Sequence, residues 1–501
     1  MTDSSSNGNG SGSRASSGVP GLDLILSGGL VRDRLYLLEG VAGSGKTTIA
    51  MQFLIDGARQ GERSLYVSLS ESRRELEDVA ASHGWSLEGV EIHEPVPSGA
   101  ALDPDHQLTV FHPGEVELGE VMRAVLQRVA SAEPARVVID SVSDLRLMSG
   151  SAFQYRRQVL ALKEFFSRRH STLLVTDDRG PSHDDLDLRT VAHGVMRLEH
   201  DTPQYGGERR RLNVLKYRGT MFRGGYHDFV IRRGGVHVFP RLDTSLGRHT
   251  TRMRPLPSGI AELDALLGGG IHSGTSTLIS GGPGLGKSSI AAQFAVATAS
   301  RGGAVAFYAF DETCNTLLAR CDGLGVPLRA EVEAGTVTVQ EVDPAELTPG
   351  EFTHTIRDAV RTRGVQMVVI DSLNGYLNAM PEERFLTLHL HELLVTLGQH
   401  GVATVLVGVQ HAAFGASSIS PADASYLADT VLMLRHFEAR GEVRQAISVF
   451  KKRSGNHERT IREFRLEPGA IRVGEPLRGF RGVLTGVPDY ADDGRPLLGA
   501  T

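Results

Sequence analysis

The sequence predicts an α/β fold of two tandem domains, each a mostly parallel sheet flanked by helices with an antiparallel edge hairpin. Three observations lead to this prediction. A set of landmarks occurs twice at one fixed spacing, apolar strand-like runs alternate with helical stretches, and each half ends in alternating strands with charged residues between them. Continuous β-branched runs between helices are typical of parallel strands that are covered on both faces.

The repeat is visible in three pairs of landmarks that share one offset along the chain. The segment SGVPGLDLILSGGL from Ser17 returns as SGIAELDALLGGGI from Ser258, and GVAGSGKTT returns as GGPGLGKSS. Glu71 and Glu312 keep the same offset. Three landmarks in one register are not expected by chance, so the chain is interpreted as a duplication. The predicted segments are a disordered Ser/Gly-rich tail at 1–16, domains at 17–245 and 246–474, and a flexible tail at 475–501.

Composition limits the class of protein. The 501 residues are 40% hydrophobic and 22% charged, which is ordinary for globular domains. The net charge of −6 gives no general attraction for nucleic acid or anionic membrane, although it does not exclude a local basic groove. No run approaches the roughly 20 apolar residues of a membrane span. Cys314 and Cys321 match no disulfide or metal pattern, so a reducing, cytoplasmic setting is predicted.

Two glycine loops match the pattern GxxxxGK[ST], each after a predicted strand and before a predicted helix. Glycines let backbone N–H groups turn toward phosphates, and the positive end of the following helix faces the same anion. The lysine adds a charge at the outer phosphates. We therefore predict ATP and Mg²⁺ as ligands. The predicted ATP-binding residues are Gly40, Gly43, Ser44, Gly45, Lys46, Thr47 and Thr48 in the first loop, and Gly281, Gly284, Leu285, Gly286, Lys287, Ser288 and Ser289 in the second.

The predicted Mg²⁺ ligands are a loop hydroxyl and a strand-end carboxylate in each half. Thr47 and Ser288 follow the loop lysines, and Asp140 and Asp371 each end an apolar VVID strand and precede a serine. An aspartate that only caps a turn is the alternative for either position alone. The same arrangement downstream of both loops favours the metal role.

Acidic residues that orient or deprotonate the attacking group are expected after the next apolar strand. Ligands of parallel sheets lie off the carboxyl ends of the strands, where Asp311 and Glu312 follow AVAFYAF. The first half has Ser70 and Glu71 at these positions. Glu71, Asp311 and Glu312 are the predicted catalytic acids, and Glu71 would act alone or support slower hydrolysis. The alternative is that these acids only stabilise the start of the following helix.

Taken together, these residues resemble the KaiC family of circadian clock proteins, which are tandem RecA-like ATPases. The twin loops, the paired acids, the Asp-Ser strand ends and a Lys-x-Arg on the last strand of each half carry the resemblance. It extends from Ser17 to about Tyr490 and includes AISVFKKR and HERTIREF. It implies two P-loop NTPase domains in a homohexamer, with signalling or clock proteins as partners. Asp311, shorter than the family's usual glutamate, would be the general base.

The resemblance also assigns residues that act between subunits. In the family the Lys-x-Arg elements reach the nucleotide of the neighbouring subunit, and they correspond here to Lys216, Arg218, Lys451 and Arg453. The planar fork of arginine suits this task because it holds both charge and geometry. Basic edge strands that face solvent are the alternative.

A phospho-acceptor is implied in the second half. The family's second domain is an autokinase and phosphatase whose acceptors are an adjacent Ser-Thr pair before a strand that begins Asp-Thr. That strand begins here at Asp429, so the matching positions are Ser425 and Tyr426. Ser425 is the predicted acceptor, and an ordinary hydroxyl in a polar loop is its alternative. Arg189 and Thr190 occupy the same positions in the first half.

Two other function classes remain open from the sequence alone. A DNA motor or recombinase shares the RecA-like core, but the basic runs ERRR and RR lie in predicted edge strands and the chain is acidic, so nucleic acid is not the expected partner. A signalling scaffold, in which nucleotide occupancy alone sets the conformation, would suit the first half because of Ser70. A timing or signalling ATPase with serine autophosphorylation is the leading hypothesis.

Overall fold

A computed structural model describes most of the chain as two compact units, one that ends at Arg241 and one that begins at Leu242. The predicted boundary between residues 245 and 246 lies outside the described residues. The described residues are 13–95, 113–149, 151–178, 186–203, 206–242, 252–343, 345–378, 386–409, 424–439, 441–483 and 489–490.

The first unit is built on one large sheet with helices on both faces. Its helices are α1 (Leu22–Ile25), α2 (Lys46–Arg59), α3 (Arg73–His83), α4 (Pro113–Ala132), α5 (Val142–Met148), α6 (Ala152–Ser167) and α7 (Leu186–Val191). Its strands are β1 (Arg14–Ala15), β2 (Leu30–Val31), β3 (Leu35–Gly40), β4 (Ser64–Ser68), β5 (Val90–His93), β6 (Arg136–Asp140), β7 (Thr172–Asp178), β8 (Gly194–Asp201), β9 (Arg209–Tyr217), β10 (Tyr226–Arg232) and β11 (Gly235–Phe239).

Strand order places β3, which leads into the first glycine loop, inside the sheet. Within the described residues, nine strands run in the order β11-β10-β9-β8-β3-β7-β6-β4-β5. The six from β8 to β5 are parallel, and β9, β10 and β11 extend the sheet in antiparallel fashion. The carboxyl ends of β3, β7, β6 and β4 therefore meet at one edge, which is where ligands of such sheets lie.

The second unit repeats the main elements of this arrangement and adds a few short ones. Its helices are α8 (Ala261–Leu266), α9 (Lys287–Ala299), α10 (Cys314–Gly323), α11 (Leu328–Glu333), α12 (Pro349–Arg363), α13 (Leu373–Asn378) and α14 (Leu386–Gln399), with a short 3₁₀ helix at Ala424–Tyr426. Its strands are β12 (Pro255–Leu256), β13 (Ile271–His272), β14 (Ser276–Gly281), β15 (Ala304–Ala309), β16 (Val337–Glu341), β17 (Val365–Asp371), β18 (Ala403–Val409), β19 (Thr430–Ala439), β20 (Glu442–Lys452), β21 (Ile461–Glu467), β22 (Ala470–Pro476), β23 (Phe480–Arg481) and β24 (Asp489–Tyr490).

The second large sheet has the same strand order as the first. It reads β22-β21-β20-β19-β14-β18-β17-β15-β16, so each strand takes the place of its counterpart. The strands from β19 to β16 are parallel, and the remaining three are antiparallel. The predicted α/β fold, with two tandem and mostly parallel sheets and antiparallel edges, is confirmed.

The first four residues of strand β3 show why these strands carry continuous apolar runs. Successive side chains of a strand point to opposite faces of the sheet. Tyr36 and Leu38 enter the core that contains α2, whereas Leu35 and Leu37 enter the core on the other face, with α4 and α6. Because both faces are covered by helices, no position of the strand is left for a polar, solvent-facing side chain.

In both units the helix that follows the predicted catalytic acids is tied at its far end to an outer hairpin. The backbone N–H of Gly234, in the turn between β10 and β11, donates to the carbonyl of His83 at the end of α3, over 3.0 Å. The ring of His83 stacks on that of Trp85, with centroids 4.6 Å apart. In the second unit, Gly469 between β21 and β22 donates to the carbonyl of Gly323 at the end of α10, also over 3.0 Å.

The ordered structure reaches into both predicted tails. Ala15, near the end of the predicted segment 1–16, is fully buried in β1, which pairs with β2. Leu477 and Val483, in the predicted segment 475–501, are buried in a small core with Phe437. These three apolar residues of the predicted tails are therefore packed. The parts of the tails before residue 13 and after residue 483, apart from residues 489–490, lie outside the described residues.

Arg136, at the start of β6, is a fully buried cation at the centre of the first unit. Its guanidinium pairs with the carboxylates of Glu62 and Asp56 and donates to the carbonyls of Ser16 and Phe53, each over 2.8 Å. A buried charge is tolerated only when its donors are satisfied. This guanidinium therefore ties β6, the end of α2 and the segment before α1 to one another.

Arg136→Met should lower the free energy of unfolding of the first unit by roughly 3 kcal/mol, because the variant removes the centre of a buried ion-pair network. Trp85 is the only tryptophan of the chain. Its fluorescence during urea unfolding therefore reports on the first unit alone. Arg168→Met is the matched control, since Arg168 and its partner Glu164 are both largely exposed and such pairs add little stability. Equal shifts for both variants would contradict the role of Arg136.

Candidate nucleotide-binding sites

Each glycine loop ends in a residue that must be glycine. Gly45 and Gly286 immediately precede α2 and α9, with φ angles of 95° and 80°, a conformation that other residues rarely adopt. A Cβ atom would lie 2.8 Å from Cδ1 of Ile231 at Gly45, and 2.6 Å from Cδ1 of Leu466 at Gly286. Within the described residues no side chain caps either helix start, so the first backbone N–H groups are available to an anion.

The other predicted loop residues lie on the same strand–loop–helix segments. Apart from the two loop lysines, the side chains at four of these positions are buried in the protein. Those four are Ser44 and Thr48 in the first unit and Leu285 and Ser289 in the second. Gly40 and Gly281 end β3 and β14, and Gly43 and Gly284 lie in the loops with φ angles of 75° and 74°.

The two loop lysines have different surroundings. The ammonium of Lys46 donates to the carbonyl of Val41 over 2.9 Å and forms an ion pair with Asp178, 2.7 Å away, at the end of β7. The ammonium of Lys287 donates to the carbonyl of Gly282 over 2.7 Å, and burial lowers its pKa. The position of Asp178 is taken by a valine, at the end of β18, in the second unit.

The predicted metal ligands of the first unit are in direct contact. The hydroxyl of Thr47 donates to Oδ2 of Asp140 over 2.8 Å. Tyr66 on β4 donates to the same oxygen, and Thr176 on β7 donates to Oδ1. Neighbouring parallel strands thus supply hydroxyls that donate to both oxygens of this buried carboxylate.

The corresponding carboxylate of the second unit is less well satisfied. Phe307 and Val407 stand where the first unit has the tyrosine and the threonine, so Asp371 loses two hydroxyl donors. Its Oδ2 is buried without a hydrogen-bond partner. Burial therefore raises the pKa of Asp371 to about 6, although a hydrogen bond from Ser288 lowers it.

These donors suit a magnesium ion. Each unit offers one carboxylate and one hydroxyl, which are hard oxygen ligands. Mg²⁺ is commonly held by one or two such groups together with phosphate oxygens and water. The unpartnered Oδ2 of Asp371 is an oxygen that a cation would satisfy. Among the described residues, no cluster of three or more His, Cys, Asp or Glu side chains could hold a metal by itself.

The predicted catalytic acids also differ between the units. Glu71 lies after β4, its Oε2 is buried without a hydrogen-bond partner, and burial together with nearby carboxylates raises its pKa. Glu312, after β15, accepts two hydrogen bonds from Arg320, over 2.9 and 2.7 Å. Asp311 is exposed. Its carboxylate packs closely against Gly375, because a Cβ atom at that position would lie only 2.6 Å from Oδ1 of Asp311.

The Lys-x-Arg residues lie where the parallel strands of each sheet begin, whereas the glycine loops lie at the carboxyl ends of these strands. Lys216 pairs with the start of β8 and donates to the carbonyl of Arg189 over 2.7 Å, and Arg218 donates to the carbonyl of Thr190 over 2.6 Å. In the second unit, Lys451 and Arg453 flank the start of β19. These residues are therefore not brought to the loop of their own unit.

Ser425 lies in the 3₁₀ helix before β19, where the parallel strands begin. Lys451 donates to its carbonyl over 3.0 Å and to the carbonyl of Ala428 over 2.7 Å. The predicted acceptor is thus adjacent to a Lys-x-Arg element and distant from the second glycine loop.

A sequence model of the family described as "ATPase: KaiC" matches residues 15–243 and 256–478, nearly all of both units. The chain belongs to the KaiC ATPase family. It is therefore a nucleotide-binding ATPase, and the resemblance inferred from the sequence is confirmed. Within the described residues, no helix combines the length and the apolarity needed to cross a membrane.

Three relatives illustrate how far the similarity extends. Circadian clock protein KaiC3 of Synechocystis sp. is 27% identical over 483 residues, covering 94% of this chain and 94% of the relative. Circadian clock oscillator protein KaiC of Picosynechococcus sp. is 27% identical over 482 residues, covering 94% and 91%. Circadian clock oscillator protein KaiC of Thermosynechococcus vestitus is 26% identical over 482 residues, covering 94% and 90%.

Four residues near the KaiC-type sites were missed by the sequence analysis: Tyr66, Thr176, Asp178 and Arg320. The hydroxyls of Tyr66 and Thr176 belong to apolar strands, where they read as core positions. Comparison of the halves offered a signal, because β7 ends in TDD whereas β18 ends in VGV. Polar residues at the carboxyl end of only one of two equivalent strands indicate a local function.

Asp178→Asn should tighten ATP binding to the first unit about two- to fivefold, because its carboxylate and the ATP phosphates compete for the Lys46 ammonium and the pair is partly exposed. The measurement is equilibrium binding of ATP to chains that also carry Lys287→Ala. The matched control is Val409→Asn, at the equivalent position, in chains that carry Lys46→Ala, where no such gain is expected. Weaker binding by Asp178→Asn would show that the carboxylate assists the nucleotide.

Proposed function

We propose that this chain forms a homohexameric ring, binds Mg-ATP between subunits, hydrolyses it, and transfers phosphate to Ser425 as a timing or signalling switch. The observation that carries the proposal is the separation, within each unit, of the glycine loop from the Lys-x-Arg element. β3 has six residues, so its two ends are about 20 Å apart. A complete site therefore requires the loop of one subunit and the basic edge of another.

Positive charge at that edge supports an interface with phosphates. In the first unit a cavity of about 250 Å³ is lined by Arg34, Lys163, His193 and Arg218, with Asp33 as the acidic residue of the lining. Burial and these cations lower the pKa of His193 to about 4, and burial with neighbouring cations also lowers the pKa of Lys216. A cluster of this kind is stabilised by an anion, and an ATP phosphate of a neighbouring subunit would supply one.

The same geometry supports the proposed phosphotransfer to Ser425. Its hydroxyl oxygen would attack the γ-phosphorus of ATP held by a neighbouring second unit, the bond to the β–γ bridging oxygen would break, and Asp311 would accept the proton. The backbone of Ser425 already contacts Lys451, so acceptor and trans cation lie together. In the first unit the equivalent position is Arg189, which pairs with buried Glu39 over 2.7 Å and offers no hydroxyl.

The role of a switch rests on the relatives, whose names describe circadian clock proteins. We propose that ring conformation reports nucleotide and phosphorylation state to signalling or clock proteins in the cytoplasm. The loss of an acid at Ser70 suits a first unit that contributes to assembly as well as to turnover. Mg²⁺, where bound, would neutralise phosphate charge beside Thr47 and Asp140, and beside Ser288 and Asp371.

Mixing two inactive variants should restore ATP hydrolysis if sites are shared between subunits. A chain with Lys46→Ala and Lys287→Ala lacks functional loops, and a chain with Arg218→Ala and Arg453→Ala lacks trans cations. Each should hydrolyse ATP at least about tenfold more slowly than the unsubstituted chain, because each lacks half of a charged site. An equimolar mixture should recover part of the rate, since some interfaces combine an intact loop with an intact arginine.

The control mixes the loop variant with a chain that carries all four substitutions, which should recover nothing. Native mass measured with Mg-ATP should show a hexamer for the unsubstituted chain. A monomer under those conditions, or mixed variants without recovery, would contradict the shared-site proposal.

Incubation with Mg-ATP should add one phosphate per chain at Ser425, and Ser425→Ala should abolish this addition while ATP hydrolysis continues. Intact mass and peptide mapping provide the measurement. The adjacent Tyr426 is 59% exposed, so mapping must separate the two positions. Lys287→Ala is the control, because it removes the phosphate donor site and leaves the acceptor intact. Phosphate found at Tyr426 or nowhere would contradict the assignment to Ser425.

A further inference from the structure

The two glutamates at equivalent positions have opposite hydrogen-bonding states. Both carboxylate oxygens of Glu312 are engaged by the fork of Arg320, at 2.9 and 2.7 Å, and the glutamate side chain is 15% exposed. This bidentate contact is among the strongest that a carboxylate makes. Arg320 lies on α10, whose first turn follows Glu312 directly.

The first unit lacks this clamp. At the position of Arg320 in the repeat, α3 carries Val79, an apolar residue that packs against the core. Glu71 retains an Oε2 atom that is buried and without a hydrogen-bond partner. One carboxylate thus has an oxygen without a hydrogen-bond partner, whereas both oxygens of the other are engaged by Arg320.

This difference matters for hydrolysis. In that reaction the water oxygen forms a bond to the γ-phosphorus, the bond to the β–γ bridging oxygen breaks, and ADP leaves. A carboxylate that orients the water accepts its proton, and needs an oxygen lone pair to do so. Transfer of that proton to Glu312 would neutralise the carboxylate and weaken its two charge-assisted hydrogen bonds to Arg320.

We propose that Arg320 is a positioning residue that withholds Glu312 from the attacking water, and that Val79 leaves Glu71 available in the first unit. The inference rests on the proposed hydrolysis of ATP at both units. It assigns Arg320 a restraining role, so the second unit relies on Asp311, which is exposed beside its loop. The number of acids at each site therefore does not determine the rate.

Reciprocal exchange of the two residues tests this inference. Arg320→Val in chains with Lys46→Ala should raise kcat about tenfold, a part of the 10²- to 10⁴-fold that a positioned base supplies. Val79→Arg in chains with Lys287→Ala should lower kcat by a similar factor. KM for ATP should change little in both, because neither residue is proposed to contact the nucleotide.

Removing the carboxylates shows whether these effects pass through them. Glu312→Gln should abolish the gain from Arg320→Val, and Val79→Arg should add nothing to the loss caused by Glu71→Gln. A gain that persists with Glu312→Gln, or a fall in kcat for Arg320→Val, would overturn the inference. Trp85 fluorescence for the first-unit variants, circular dichroism for the second-unit variants and native mass for all of them check that each variant is folded and assembled.

The outcomes separate this inference from the proposed function. If the single-loop chains hydrolyse ATP but the exchanges leave kcat unchanged, only the role of Arg320 fails. If neither single-loop chain hydrolyses more ATP than the chain with both loop lysines replaced, hydrolysis at the individual units fails, and the inference is overturned with it.

Discussion

The sites of this protein depend on one constraint, which is that parallel strands end at a common edge. β3 delivers the glycine loop there, β6 delivers Asp140, and β4 delivers Glu71. These groups are far apart in sequence and meet only because the strands are neighbours. The same edge in the second unit gathers Lys287, Asp371 and Glu312.

The opposite edge carries the other half of the chemistry. Lys216 and Arg218, and the residues that match them in the second unit, lie where the parallel strands begin. In the proposed ring, a second copy would supply the cations that the loop of each sheet lacks. Assembly and catalysis would then be coupled by the direction of the strands.

The sequence was sufficient for the fold, the duplication and the glycine loops, because each rests on a local pattern that occurs twice. It was insufficient for interactions that depend on neighbouring strands or on a side chain's choice of partner. The hydroxyls of Tyr66 and Thr176 that hold Asp140 come from different strands. Arg320 lies eight residues after Glu312 in the sequence. The importance of their contact is apparent only when Arg320 is compared with Val79, its counterpart in the first unit. A count of acids favoured the second unit, whereas the hydrogen bonds give Glu71 the freer oxygen.

A backbone hydrogen bond joins Gly234 to the end of α3, and Gly469 makes the same bond to the end of α10. These two bonds have a mechanical consequence. Each of these helices begins next to a predicted catalytic acid, Glu71 or Glu312, and ends at a hydrogen bond to a surface hairpin. A force on the hairpin would be transmitted along the helix axis to the segment that carries Glu71 or Glu312. In each unit the outermost strands are thus linked by one helix to the segment that carries a predicted catalytic acid.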